Sequence, residues 1–237
     1  MSKIRIFVDA SFQTGIRLPL NSTQEHYLLH VMRLKDSAPV HVFNGRDGEW
    51  VSQFISHKRH PQLLLQSQIF EQTPAPQMGL IFSPLKPKRL EFLIEKATEL
   101  NVGRLYPTVM EHTAFPKVNL EKIQNYTIEA AEQSERLSIP DIQHPQKLFD
   151  LLNIWPQDHF IFWASERQNH SSLRIALANA LPSLTFLIGP EGGFSPKEIQ
   201  YLEKLPFIIP VSLGPTILRA ETAALMCLSV GLQADLK

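Results

Sequence analysis

The sequence predicts an α/β protein in two parts: a β-rich part over residues 1–72, and an α/β part with a mainly parallel sheet over residues 73–237. Three observations predict this. Near the start, apolar residues recur at every second position, the period of a half-buried strand. From Met78 onward, five short apolar runs alternate with five helical segments, the pattern of a parallel sheet whose strands are joined by helices. Between the two rhythms lies "QTPAPQ", Gln72 to Gln77, where two prolines mark a linker.

In the first part, Ile4, Ile6 and Val8 alternate with other residues to give the opening strand. "EHYLLHVMRLK" predicts a short amphipathic helix with Leu28, Leu29 and Met32 on one side. "VHVFNGRDGEWVSQFI" predicts a hairpin. Val40 and Val42 alternate, Asn44 to Gly48 turn, and Trp50 to Ile55 return.

In the second part, strands are predicted at "MGLIFSPL", "RLYPTVM", "HFIFWA", "LTFLIG" and "FIIPVSLG". The first helix, "KRLEFLIEKATELNVG", places Leu90, Leu93, Ile94 and Ala97 on one face. Asn119 caps "LEKIQNYTIEAAEQSE", and Ser171 caps "SLRIALANAL". "SPKEIQYLEKL" carries the clearest start signal: Ser195 as cap, Pro196 as first helical residue, and Glu198 closing a capping box. "AETAALMCLSVGLQ" is the last helix.

Lysine plus arginine equals aspartate plus glutamate, 23 against 23, so any polyanion must be met by local patches. Cys227 is the only cysteine, which excludes an intrachain disulfide framework and suits a reducing compartment. Between Met226 and Leu228 it reads as a buried apolar residue. Among nine histidines, His26 and His30 are four apart, but no HExxH and no cysteine pair completes a metal site. Asp9 interrupts the first apolar stretch, and no apolar run approaches the roughly 20 residues needed to span a bilayer. A soluble, cytoplasmic protein is expected.

"FLIGPEGGFSPKEI", Phe186 to Ile199, poses the functional question. Gly189, Gly192 and Gly193 stand between an apolar run and a helix start, a layout that often cradles phosphate. Yet the loop has neither GxGxxG nor GxxxxGK[ST], no lysine or arginine lies between Ile188 and Lys197, and Glu191 would repel phosphate. A cationic or neutral ligand suits it better, and S-adenosylmethionine is one candidate; a plain tight turn is the other reading. A second loop, "SLGPTIL", Ser212 to Leu218, brings another glycine and proline, with Ile217 and Leu218 placed to flank an adenine. Arg219 and Glu221 follow at the start of the last helix. They are either an exposed helix-start pair or a cation and a carboxylate beside a ligand pocket.

Taken together, these segments resemble the bacterial ribosomal small-subunit RNA uridine-N3 methyltransferases, of the trefoil-knotted SPOUT class. "HYLLHVMRLK" and "VFNGRDGEW" resemble the family's PUA-like RNA-binding β-barrel. "KPKRLEFLIEKATELNVGRLYP" resembles the entry into its catalytic domain, and "AAEQSERLSIP", "FLIGPEGGFSPKEI" and "SLGPTILRAETAAL" its three signature segments. The resemblance runs almost end to end. The family commonly has glycine where this chain has Asn101, and arginine where it has His112. Asparagine tolerates left-handed backbone; no charge-based role is carried to position 112.

The resemblance implies a C-terminal trefoil knot, a homodimer, and methylation of N3 of a specific uridine in 16S ribosomal RNA of the small subunit, with S-adenosylmethionine as cofactor and no metal. The cofactor-binding positions it implies are Gly189, Pro190, Glu191, Gly192, Gly193, Ser212, Leu213, Gly214, Ile217, Leu218 and Thr222. Arg219 and Glu221 are the catalytic positions: Arg219 to stabilise negative charge on the uracil oxygens, Glu221 as general base or as the residue orienting Arg219. Lys86, Lys88 and Arg89 form one basic cluster for RNA, and Arg33, Lys35, Lys58 and Arg59 a second. Arg136 serves the RNA face or the dimer. The alternatives are an RNA-binding knotted protein without catalysis and a SPOUT methyltransferase acting on another RNA.

Overall fold

The computed structural model describes residues 3–56, 60–165, 170–178 and 184–235. By packing, the chain divides into one unit made of Met1–Ala75 with Ala131–Ile139, and another made of Pro76–Ala130 with Pro140–Lys237. The division falls after Ala75, within the proline-containing segment. The first unit, however, is discontinuous, and takes in nine residues from the middle of the second half.

The first unit is a five-stranded, mostly antiparallel sheet. Its strands are β1 (Arg5–Phe7), β2 (Arg17–Pro19), β3 (Pro39–Phe43), β4 (Glu49–Ile55) and β5 (Gln62–Phe70), in the order β1-β3-β4-β5-β2. The β3–β4 hairpin pairs Val42 with Trp50. Its turn is organised by Asn44, whose Oδ1 accepts from the backbone N–H of Arg46 at 2.9 Å and of Asp47 at 2.8 Å. Ile6, Val8, Leu28, Val40, Val42, Phe54 and Leu63 form the core. The helix expected from Glu25 starts earlier. Asn21 and Gln24 make a capping box for α1 (Ser22–His26), and one π-helical turn, Tyr27–Val31, continues it.

Arg5 departs from the strand alternation, which places it on the solvent side. It is buried. Its Nε donates to Glu49 Oε2 at 2.8 Å, and Nη1 and Nη2 donate to the carbonyls of Ala131 and Arg136 at 2.7 Å each. The guanidinium lies 3.6 Å from the Phe43 ring centroid. Residues 131–139 cover this face, which is why a cation can be interior here: each of its three nitrogens has an acceptor and the charge has a carboxylate.

The second unit is a parallel sheet with helices on both faces. Its elements are β6 (Gly79–Phe82), α2 (Pro87–Glu99), β7 (Arg104–Val109), α3 (Leu120–Gln133), β8 (Asp141–Ile142), β9 (Gln146–Lys147), α4 (Leu148–Asn153), β10 (Ile161–Ala164), α5 (Leu173–Ala176), β11 (Thr185–Ile188), α6 (Pro196–Leu202), β12 (Ile208–Val211) and α7 (Ala220–Asp235). The strand order is β12-β10-β11-β6-β7-β8, every pairing is parallel, and β9 also pairs with β7.

Successive residues feed opposite cores. Leu80, Phe82, Phe162, Phe186 and Ile188 pack into the layer with α2 and α7. Ile81, Ile161, Trp163 and Leu187 pack into the layer with α4 and α6. Burial on both faces explains why these strands read as unbroken apolar runs. Cys227 belongs to the first layer, and burial pushes its thiol up to about 12, as its apolar neighbours suggested.

Most expected elements are present. The elements β8, β9 and α4 add to the five strands and five helices expected. Asn119 caps α3 through Oδ1 to the N–H of Lys122 at 3.1 Å. The cap at Ser171 is corrected: α5 starts after Ser172, without a side-chain cap bond, and spans four residues. Its expected continuation at 179–181 lies outside the described residues, as do Lys58 and Arg59. Asn101 closes α2 with φ +64, the left-handed conformation that glycine or asparagine adopts after a helix. No helix among the described residues is long and apolar enough to cross a membrane.

Candidate functional site

The strands β10, β11 and β12 lie side by side, and their carboxyl ends open into one cavity of about 620 Å³. Ligands in open α/β sheets sit at such ends, and the volume suits a cofactor-sized molecule. The two glycine loops predicted from sequence form its walls.

The first loop leaves β11 at Gly189. A turn follows, closed by the Gly193 N–H donating to Pro190 O at 2.9 Å. Gly193 has φ +71, where a side chain would be strained. Gly189 is required by packing: a Cβ there would come within 2.5 Å of the Phe194 ring, which stands edge-on to Trp163 with centroids 5.6 Å apart. The loop then enters α6 through the predicted capping box. Ser195 Oγ accepts from the Glu198 N–H at 3.2 Å, and Glu198 Oε2 accepts from the Ser195 N–H at 2.8 Å. Glu198 is buried, and its other oxygen accepts from the Glu111 N–H at 2.9 Å, which ties the segment after β7 to the start of α6.

His112, where the sequence departs from the family it resembles, sits against this loop. Its Nδ1 lies 3.1 Å from Gly192 O and 3.0 Å from Gly193 O, so a proton on Nδ1 bonds both carbonyls. Position 112 thus holds the loop's backbone, a role that needs a donor and no net charge.

Of the expected cofactor positions, Gly189, Pro190, Glu191, Gly192, Gly193, Leu213, Gly214, Ile217 and Leu218 line the cavity. Ser212 and Thr222 do not. Ser212 Oγ instead accepts from the Gly214 N–H at 3.3 Å, shaping the second loop from behind. Thr222 is exposed on α7. Arg219 lines the cavity, and among the described residues it has no ion-pair partner.

Glu221 is mostly buried. Its Oε1 is 3.7 Å from Nε of Arg89, and its Oε2 is buried with no hydrogen-bond partner among the described residues. Arg89 also donates from Nη1 to Glu191 Oε1. The negative charge in the glycine loop is therefore matched from α2.

The expected basic clusters are altered accordingly. Arg89 lines the cavity between two carboxylates, while Lys86 and Lys88 beside it are exposed. In the first unit, Arg33 and Lys35 are exposed. Arg136 is half-buried there, with Nε donating to Ser138 Oγ at 3.2 Å, and burial draws its guanidinium down to about 10. Sequence reading also missed Trp163, Ala164 and Ser165, which line the cavity at the end of β10. Applying the carboxyl-end rule to every predicted strand, and not only to those followed by glycine, would have found them.

A family model described as an RNA methyltransferase domain matches residues 71–231. The chain is 31% identical to the ribosomal RNA small subunit methyltransferase E of Rickettsia conorii, covering 95% of this chain and 93% of the relative. It is 27% identical to the protein of the same name in Bacillus subtilis, over 95% and 94%. Among solved structures, a Legionella pneumophila protein in complex with the bound cofactor SAM superposes with a TM-score of 0.86 at 28% identity, over 99% of this chain and 98% of that one.

Proposed function

This chain belongs to the RNA methyltransferase family that includes the ribosomal RNA small subunit methyltransferases E, and on that premise we propose that it methylates N3 of one uridine of 16S ribosomal RNA, uracil 1498, using S-adenosylmethionine. The observation that carries the reading is the cavity of about 620 Å³ walled by two backbone loops, with an arginine at its edge that has no ion-pair partner among the described residues.

The residues fit the cofactor. The loop backbones offer N–H and C=O groups, and Glu191 is already paired with Arg89, so the charge of the first loop is matched. Backbone groups of Gly189–Gly193 and Leu213–Leu218 would hold it, with Ile217 and Leu218 against the adenine and Ser212 and Thr222 supporting from outside. Bound there, S-adenosylmethionine supplies a transferable methyl group.

The chain's own residues do the rest. Uracil N3 is paired in a regular duplex, so the target must arrive unpaired or be turned out of its stack. Its N3 proton must leave as the methyl arrives, which builds negative charge on the flanking oxygens. Arg219 donates to those oxygens, a preorganised stabilisation of developing charge. Glu221 takes the proton. Its ion-pair partner is Arg89 and not Arg219, so no contact with Arg219 supports the orienting role.

The same reading makes the first unit a PUA-like RNA-binding barrel, with Arg33 and Lys35 as its RNA contacts and Arg136 supporting residues 131–139, and gives Lys86 and Lys88 of the second unit RNA contacts of their own. It makes the second unit a trefoil-knotted domain that works as a homodimer. The strand order supports the knot: β12 lies beside β10 and not beside its predecessor β11.

The test uses purified protein, methyl-labelled S-adenosylmethionine and small subunits from cells lacking the enzyme. Label should enter one nucleoside that migrates as N3-methyluridine. Cofactor binding without transfer to any RNA would replace this reading with a binding protein.

A further inference from the structure

The cavity holds two arginines in unlike states. Arg89, from the first turn of α2, meets two carboxylates: Glu191 on the glycine loop and Glu221 at the start of α7. Arg219 has no ion-pair partner among the described residues. Glu221 has a buried second oxygen with no hydrogen-bond donor among those residues, so Arg89 is its charge partner. Glu191 lines the same cavity as Arg219, and its side chain is 41% exposed. Arg89, Glu191 and Arg219 line one cavity, so Glu191 has two guanidiniums to choose between, and the pairing adopted decides which cation remains open.

We infer that Arg89 is a positioning residue whose occupation of Glu191 and Glu221 keeps Arg219 free to meet the substrate. The inference rests on the reading of Arg219 as the substrate-facing cation. A planar guanidinium suits the task because it can address two carboxylates through separate N–H groups while its own position is fixed by α2. Without it, a carboxylate in a partly enclosed site recruits the nearest remaining cation, since opposite charges attract more strongly there than in water. Glu191 then pairs with Arg219, and the uracil oxygens lose their donor. Arg89 thus acts on the chemistry through Arg219.

The test compares Arg89→Met, Arg89→Lys and the double variant Arg89→Met with Glu191→Gln. Losing one preorganised donor costs on the order of 10² in rate in other enzymes, and Arg89→Met should approach that loss in single-turnover methylation of small subunits. Its calorimetric affinity for S-adenosylmethionine should stay within about threefold, because backbone groups hold the cofactor. Adding Glu191→Gln should recover more than half of the loss on a logarithmic scale, and Arg89→Lys should lose less than Arg89→Met.

An independent readout needs no turnover. Phenylglyoxal should label Arg219 in the wild type, label it less in Arg89→Met, and label it again in the double variant, as read by peptide mass spectrometry. A double variant as slow and as protected as Arg89→Met overturns the inference. So does a drop in melting temperature for Arg89→Met that Arg89→Lys shares and that tracks the lost rate. Failure of the parent reading looks different: the wild type itself would methylate nothing.

Discussion

Replacing Glu49 by alanine should loosen the first unit and release residues 131–139 with it. The structure sets the size of the effect. Arg5 and Glu49 have side chains only 2% and 1% exposed, and removing one partner of a buried ion pair costs about 3–5 kcal/mol because the other charge is stranded. Arg5 would keep its two carbonyl acceptors, Ala131 O and Arg136 O, and its contact with Phe43. The lower end, about 3 kcal/mol, is therefore expected. Lys3 and His41 would lose Glu49 as well, at 2.7 and 2.8 Å, but both are partly exposed and water replaces it.

Hydrogen exchange reads this locally. The Phe7 amide, which donates to Glu132 Oε1 at 2.8 Å, reports the joint between β1 and the 131–139 segment. Its protection should fall about a hundredfold, since every 1.4 kcal/mol is tenfold. Replacing both residues, Arg5→Met with Glu49→Leu, should restore most of the protection, as apolar swaps of buried pairs often do.

The pH dependence has a definite sign. Burial alone would raise the Glu49 carboxyl. Hydrogen bonds from Lys3, Arg5 and His41, with the charge of Arg5, outweigh it and hold the group below the usual carboxylate range. The stabilisation is then fully present above the unfolded value and is lost as pH falls through the folded one. Unchanged Phe7 protection in Glu49→Ala, or a double replacement worse than the single one, would refute the reasoning.

Three further outcomes are expected. Gly193→Val forces a β-branched residue into φ +71 and adds bulk at the cavity wall; calorimetry should show cofactor affinity falling at least tenfold while the melting temperature moves by only a few degrees, and unaltered affinity would remove this loop from the site. Arg219→Ala should keep cofactor affinity and lose about 10² in single-turnover rate, whereas a wild-type rate would leave Arg219 as a surface residue. Cys227, with its thiol raised to about 12, should resist iodoacetamide at pH 8 in the native protein and react only after denaturation; rapid native labelling would contradict its place in the core.

The second unit was the more legible half because its signals are local. Capping chemistry at Ser195 and Glu198 names a helix start without any knowledge of tertiary contacts. Apolar runs such as "TFLI" name strands buried on both faces. The same kind of signal lay unused in "NSTQ", where Asn21 and Gln24 start α1 three residues before the expected helix. Asn101 was legible as a left-handed residue for the same local reason.

What escaped was long-range. Alternation put Arg5 in solvent, because nothing in "KIRIFV" reveals that residues 131–139 return to cover it. Arg89 read as one cation of a lysine-rich run, because its carboxylates lie 102 and 132 residues ahead at Glu191 and Glu221. His112 read as a lost charge, whereas its use here is as a donor to two loop carbonyls.

The central claim is that this chain methylates N3 of one uridine in small-subunit RNA, with Arg219 at the reacting base. Nucleoside mass spectrometry of 16S ribosomal RNA tests it most directly, in a strain lacking the gene and in the same strain carrying either the wild-type or the Arg219→Ala chain. The account predicts that N3-methyluridine disappears from a single position on deletion, returns with the wild type, and stays absent or trace with Arg219→Ala at equal protein level. Undiminished N3-methyluridine in the deletion strain, or loss of a different modified nucleoside, would contradict it.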